Sequence, residues 1–353
     1  METILADMTK SIDPDLMAHA GRIIRSGGLV AFPTETVYGL GGDALDPDAS
    51  RKIYAAKGRP CDNPLIVHIA QMSALDAIVS GIPAAASALA DAFWPGPLTM
   101  IFHKSDLVPK ETTGGLDTVA VRMPSHPAAL ELIRQGGGYI AAPSANTSGR
   151  PSPTRASHVY EDLNGKIDMI IDGGPVGIGI ESTIVDLTEE VPTVLRPGFI
   201  SLEMLRSVLG NVRMDPGLRG DDPAFRPKAP GMKYRHYAPK APLIIVEGEA
   251  DNVRSRIQSL ALEAEASGGR AGIIATDEDV SFYTNAIVRS AGTREDEITI
   301  SRRLFSILRE FDDLQVSVIY SEAFHTPQLG TAIMNRLIKA AGHQIITAEG
   351  GST

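Results

Sequence analysis

Cysteine is nearly missing from this chain: Cys61 is the one thiol in 353 residues. A single cysteine excludes an intrachain disulfide and any zinc site built on several thiolates, and a reducing cytoplasm is the expected compartment. Aromatic residues make up only 5% of the chain, which leaves little surface for stacking unpaired bases. Positive charge is outnumbered, with 33 Lys and Arg against 43 Asp and Glu and a formal net charge of −10. A protein that holds nucleic acid by neutralising phosphates is basic over at least one domain. The balance therefore opposes stable nucleic-acid binding, without forbidding a local positive pocket for a small anion. No run approaches the roughly 20 apolar residues that cross a bilayer, so no membrane association is expected. The opening stretch METILADMTKSIDPDL joins no basic segment to an apolar one, and no secretory signal is read in it. No acid pair, catalytic triad, H-E-x-x-H or Walker A sequence is present either.

What remains is an ordinary globular composition, 43% hydrophobic and 22% charged, in a chain long enough for two domains. Up to about residue 205, short apolar runs read as strands: 29–32, 65–69, 98–102, 118–123, 139–142, 169–172 and 183–187. Helices fit between some of them. Asp13-Pro14 and Asp46-Pro47 are N-cap and first-turn pairs, Gly27-Gly28 and Gly58 are stops, and a third helix runs from Pro127 to the glycines 136–138. Residues 208–242 are crowded with Pro, Gly and charge and have no apolar period. Such a stretch is a solvated linker or a functional loop, and the cluster Lys233-Tyr234-Arg235-His236-Tyr237 favours the latter. Beyond it, strands at 243–248, 271–276 and 316–321 alternate with helices near 253–266, 302–311 and 331–341. That order predicts a small three-layer, Rossmann-like unit, although no G-x-G-x-x-G turn marks it as nucleotide-binding.

Chemistry-bearing residues gather at strand ends in the first domain. FPTETVYGLGGDA, residues 32–44, places Thr34, Glu35, Thr36 and Tyr38 after a strand and follows them with Gly39, Gly41 and Gly42. This is either a ligand edge or a polar turn that uses glycine for positive φ. In KGRPCDNPL, residues 57–65, Lys57 and Arg59 are two apart and would project to one side of an extended segment stiffened by Pro60 and Pro64. Asn63 adds an amide, and Cys61 has no histidine partner and is read as incidental. His68, inside an apolar strand, reads first as a satisfied core histidine. Thr118 and Arg122 share one face of another strand, where a permanent guanidinium needs an anion that a carboxylate ligand could supply. The stretch 141–154, AAPSANTSGRPSPT, concentrates Ser144, Asn146, Thr147, Ser148, Arg150 and Ser152 in a loop suited to phosphate or ribose, and VLRPG supplies Arg196. Cations, hydroxyls and backbone amides suit anion binding and the stabilisation of developing charge more than covalent catalysis.

Taken together, FPTETVYGLGGDA, the K-x-R of KGRPCDNPL, FWPGPLT, VAVRMP, APSANTSGRPSPT, DGGPVGIGIESTIVD and VLRPG resemble the YrdC-like family, in order, across about 15–200. APGMKYRHYAP and GTAIMNRLIKAA resemble its long, two-domain form, the threonylcarbamoyl-AMP synthases. Any one of these motifs is weak, but the ordered set is specific.

The resemblance implies an α/β fold: a twisted mixed sheet flanked by helices around a central cavity in 1–207, a linker or lid at 208–242, and a Rossmann-like accessory domain in 243–353. It implies that L-threonine, bicarbonate and ATP give threonylcarbamoyl-AMP, pyrophosphate and water. The product would pass to a separate transferase that modifies tRNA. By the same resemblance, ATP contacts fall on Lys57, Arg59, Asn63, Thr118, Ser144, Ser152, Arg196 and Tyr234, with Lys57 and Arg59 closest to the chemistry. Threonine contacts fall on Thr36, His68, Arg122, the backbone at Ala142, and Ser182. Mg²⁺ would arrive on the ATP phosphates rather than on protein ligands, and no tightly bound organic cofactor is expected. Two other readings remain. A double-stranded RNA or tRNA-binding module is opposed by the charge. The hydrogenase-maturation carbamoyltransferase that shares this domain needs cysteine-rich zinc modules that one cysteine cannot build.

Overall fold

The computed structural model describes residues 2–219 and 236–348. The chain divides into one unit of Met1–Ser148 with Ser152–Tyr234 and a second of Gly149–Pro151 with Arg235–Thr353.

In the first unit, β1 (Ile4–Asp7), α1 (Pro14–Arg25), β2 (Val30–Phe32), β3 (Gly39–Asp43), α2 (Pro47–Lys57) and β4 (Ile66–His68) come first. They are followed by α3 (Leu75–Ile78), α4 (Ala84–Phe93), β5 (Leu98–His103), β6 (Thr118–Arg122), α5 (Pro127–Gln135) and β7 (Ile140–Ala142). The unit continues with α6 (Ala156–Leu163), β8 (Met169–Asp172), β9 (Thr183–Asp186), β10 (Thr193–Arg196), α7 (Leu202–Leu209) and β11 (Arg213–Met214). All eleven strands join one mixed sheet in the order β1-β8-β2-β3-β7-β4-β6-β5-β9-β10-β11.

The sequence signals for the helices act as expected. Asp13 accepts hydrogen bonds from the Asp15 and Leu16 amides at the head of α1, and Asp46 accepts one from the Asp48 amide at the head of α2. Proline follows each cap, where its missing N–H costs nothing. The α1 residues Met17, Ala20 and Ile24 bury one face against Ala129, Leu132 and Ile133 of α5 and the sheet residues Val30 and Phe32.

Three strands fall where the sequence does not announce them. β1 is short and exposes three of its four residues, and β11 has only two. β3, sequence GLGGD, is poor in the residues that favour strands. Its glycines are compatible with a turn by sequence, but none has positive φ. They sit in a strand paired antiparallel with β2 and β7. The reason is space: a Cβ on Gly41 would lie 2.8 Å from Ile140 Cγ2 and 2.9 Å from Phe32 Cε1. The glycine lets two strands and an aromatic ring close together. FPTETVYGLGGDA is therefore a hairpin, with the polar residues 33–38 as its connection.

The second unit holds β12 (Leu243–Glu247), α8 (Ala250–Ala266), β13 (Ala271–Ala275), β14 (Ile287–Ser290), α9 (Glu297–Asp313), β15 (Val318–Glu322), α10 (Gly330–Ala340) and β16 (Ile345–Thr347). Its sheet runs β14-β13-β15-β12-β16, and every pairing is parallel. The three expected strands are the central ones. The two not expected, β14 and β16, are edges with half-exposed residues and no continuous apolar run.

Candidate active site

The first unit brings its candidate residues together through adjacent strands. β4 and β6 run parallel, with His68 level with Arg122. β5 lies on the other side of β6 and sets Thr99 level with Arg122. β9 follows β5, and β10 pairs with β9. His68, Arg122, Thr99, Ser182 and Arg196 thus arrive from neighbouring strands or the residue just before one.

Arg122 is buried, at 4% exposure. Its Nη2 lies 2.6 Å from Glu35 Oε1, Nη1 donates to Thr36 Oγ1 at 2.9 Å, and Nε donates to the Gly96 carbonyl at 3.4 Å. The anion that its burial demands is therefore a side chain of the 33–38 connection, where sequence alone points to a ligand carboxylate. Glu35 Oε2 also accepts the Ser125 amide at 3.1 Å. Burial pushes the Glu35 carboxyl upward, but attraction and hydrogen bonding from Arg122, with the Ser125 amide, outweigh it and hold the group below its ordinary value. Thr36 Oγ1 in turn lies 2.9 Å from Thr34 Oγ1, and Thr34 donates to the Val37 carbonyl.

His68 is enclosed, with Nδ1 3.1 Å from the Ile66 carbonyl and its ring edge-on to Phe32. Burial first, and the Arg122 charge second, press its pKa down to about 3. It is neutral at physiological pH and adds no charge to the site. Ala142, on β7, is buried and level with Ile66 of β4.

Ser182 and Thr99, both wholly buried, share a hydrogen bond of 2.8 Å. Arg196 donates from Nε to the Ser182 carbonyl at 3.1 Å and from Nη2 to Ser182 Oγ at 3.2 Å. Next to Ser182, Glu181 accepts from Ser152 Oγ at 2.5 Å. A continuous path thus runs from Thr36 through Arg122, past Thr99, to Ser182 and Arg196, with Ser152 at its border.

The KGRPCDNPL stretch differs from its sequence reading. Lys57 and Arg59 do not lie along one extended segment. Lys57 is the last residue of α2, and Gly58 ends that helix in the left-handed region, at φ 62°. Lys57 is 1% exposed and its ammonium donates to the carbonyls of Ser144 and Asn146. The α2 C-terminus and the 144–148 loop are joined again where the Ser148 amide donates to the Lys57 carbonyl. Arg59, half-buried, donates from Nε to the Asn63 carbonyl at 3.2 Å and from Nη2 to the Pro64 carbonyl at 3.1 Å. A helix that ends between the two cations sends them to different loops. Asn63 Oδ1 is buried and has no hydrogen-bond partner among the described residues. Thr118 opens β6, and continuing the Ile66–Ala120 register back two residues sets it level with Pro64. Arg59, Asn63 and Thr118 therefore mark the start of β4 and β6, and His68 and Arg122 mark their far end. Ser144 Oγ donates to Asn146 Oδ1 at 2.5 Å. Tyr234 lies outside the described residues, and Cys61 is exposed.

Sequence patterning does not reveal the role of three residues in this network. Glu35 stands within a polar stretch whose partners the sequence does not show. Glu181 sits beside Ser182 in a glycine-rich segment that hides its pairing with Ser152. Thr99 is a hydroxyl inside the apolar run LTMIF, and a buried hydroxyl needs a partner; that is the available signal. Among the described residues, no group of three or more His, Cys, Asp or Glu is arranged to hold a metal ion. No described helix is long and apolar enough to cross a membrane.

Known proteins resemble the chain along nearly its whole length. A family model described as "Telomere recombination", for the Sua5, YciO and YrdC group, matches residues 22–198. A second, described as "Threonylcarbamoyl-AMP synthase, C-terminal domain", matches 200–342. The chain is 50% identical to the threonylcarbamoyl-AMP synthase of Pyrococcus abyssi, over 98% of this chain and 99% of that protein. It is 48% identical to the Bacillus subtilis protein of the same name, over 97% of each. A crystal structure of P. abyssi Sua5 complexed with L-threonine matches with a TM-score of 0.93 at 48% identity, covering 98% of this chain and 100% of that one.

Proposed function

This chain belongs to the threonylcarbamoyl-AMP synthase family in its two-domain form, and from that premise we propose how its first unit performs the reaction. The enzyme is a nucleotidyltransferase that makes threonylcarbamoyl-AMP. The observation that carries the site reading is the buried path from Thr36 and Arg122 to Ser182 and Arg196.

Threonine binds at the Arg122 end. The guanidinium takes its carboxylate, with the remaining N–H groups forming charge-assisted bonds. Thr36, neutral His68, the Ala142 backbone and Ser182 surround the rest of the amino acid. ATP lies on the Arg196, Ser152 and Ser144 side and reaches Lys57, Arg59, Asn63 and Thr118. The buried Asn63 Oδ1, without a partner among the described residues, supports this, because such a polar atom is suited to a ligand. Mg²⁺ comes with ATP as part of the substrate, since the residues proposed around the phosphates are cations, hydroxyls and amides.

The threonine ammonium first gives up a proton to solvent; the free amine then attacks the carbon of bicarbonate and water leaves, giving a carbamate. A carbamate oxygen then attacks the α-phosphorus, and pyrophosphate departs. Protein groups supply orientation and charge: Lys57, Arg59 and Arg196 offset charge on the phosphates and leaving group, and Arg122 fixes the amino acid so that its nitrogen faces the carbon source. No covalent enzyme intermediate is needed. Within the segment 208–242, whose first residues finish α7 and form β11, the part after Met214, with Tyr234, serves as a lid that keeps water from the hydrolysable product. The product then passes to a separate tRNA-modifying transferase in the cytoplasm.

The test is pyrophosphate release by Arg59→Ala. Loss of most turnover with an unchanged unfolding midpoint is expected, and wild-type turnover would remove Arg59 from the site.

A further inference from the structure

Resting on that placement of threonine, we infer that Glu35 is a positioning and specificity residue: with Arg122 it forms a neutral, oriented pair that selects a zwitterion over a simple carboxylate.

A cavity meant only to capture an anion would leave its guanidinium uncompensated. Here Arg122 is compensated by a carboxylate 2.6 Å away, with the two side chains 5% and 14% exposed. The Ser125 amide holds the second carboxylate oxygen, and the Ile178 amide donates to the Glu35 carbonyl, so the side chain and its backbone are both anchored. Of the two histidines beside the pair, His68 is neutral, and His126 uses Nδ1 to accept the Ala128 amide as the cap of α5, while Arg196 stands farther along the path at Ser182.

The local field is therefore that of a dipole, positive at Arg122 and negative at Glu35. A zwitterionic amino acid brings a matching dipole and no net charge into a buried space. A plain carboxylate brings an unpaired negative charge, and that is costly where water is excluded. Specificity here comes from a repulsive element as well as an attractive one. The pair also fixes the guanidinium plane: Glu35 and Thr36 hold Nη2 and Nη1, and Gly96 holds Nε, before any ligand arrives.

The probe is 3-hydroxybutyrate, which is threonine without its amine. Its inhibition constant is measured against threonine in pyrophosphate release by the full-length enzyme. In the wild type it should bind far more weakly than threonine. Glu35→Gln keeps an acceptor for the Ser125 amide and removes the charge. It should raise the KM for threonine and lower the inhibition constant of 3-hydroxybutyrate, so that their ratio shifts by about tenfold or more. Glu35→Asp, which keeps the charge, should return the ratio toward the wild-type value. A purely structural role would lower activity and leave the ratio unmoved, and an unmoved ratio in a folded Glu35→Gln overturns the inference. Equal wild-type affinity for the two ligands also overturns it, whatever the variant does. Arg122→Ala separates the two claims. If it leaves the threonine KM unchanged, the threonine placement itself fails. If it raises that KM while Glu35→Gln does not move the ratio, only the role of Glu35 fails.

Discussion

Replacing Arg122 with alanine would leave Glu35 in a nearly closed space without the cation it now faces. Breaking a buried pair from one side costs about 3–5 kcal/mol, more than the pair itself contributes, because a desolvated charge remains. Arg122→Ala should therefore lower the unfolding midpoint in urea as well as raise the threonine KM. An unchanged midpoint would mean that the pair is more solvated than its geometry implies. His68 gives a pH prediction. It titrates near 6.5 in the unfolded chain and near 3 in the folded one. Below pH about 6.5 the unfolded chain takes up a proton that the native chain refuses, so stability falls as pH drops through that window. Glu35 acts lower: its native value is depressed below 4.5, so its contribution is present above 4.5 and is lost as pH falls through the native value. Between pH 6.5 and 5 the loss from this pair of residues belongs to His68. His68→Asn should flatten the stability profile there, and an equally steep profile would show that the ring is protonated in the native state.

At the scale of elements, the helix starts and the strands with unbroken apolar runs are legible in the sequence. Asp13 and Asp46 cap as their neighbours predict, and all seven runs read as strands in the first unit are strands. The strand β3 is hidden because its glycines answer to a packing demand that exists only once Phe32 and Ile140 are in place. Gly41→Ala should cost about 1–3 kcal/mol by overpacking and, by displacing the 33–38 connection, should raise the threonine KM more than the ATP KM. Equal effects on both would argue against a link from the hairpin to the amino-acid end. The residues of the candidate site are legible as types, not as partners. An arginine in an apolar strand implies an anion, but only the hairpin reveals that Glu35 supplies it. Likewise, Lys57 and Arg59 look like one basic wall until Gly58 ends the helix between them and sends each to its own carbonyls.

For the whole molecule, the first unit's sheet continues past residue 207 through β11, which pairs with β10. Truncation after Arg206 would cut α7 and remove that strand together with the proposed lid. A chain ending after Met214 keeps both elements and isolates the contribution of the residues beyond β11. It should fold and release pyrophosphate at least about tenfold more slowly than the full chain if the proposed lid keeps water from the site; full activity would make the lid dispensable. The most direct test of the pocket remains a single set of assays on the intact enzyme, following pyrophosphate release from ATP with threonine and bicarbonate omitted in turn. Release is predicted only when both are present. Release that continues without threonine would contradict a site in which Arg122 orients the amino acid that starts the reaction.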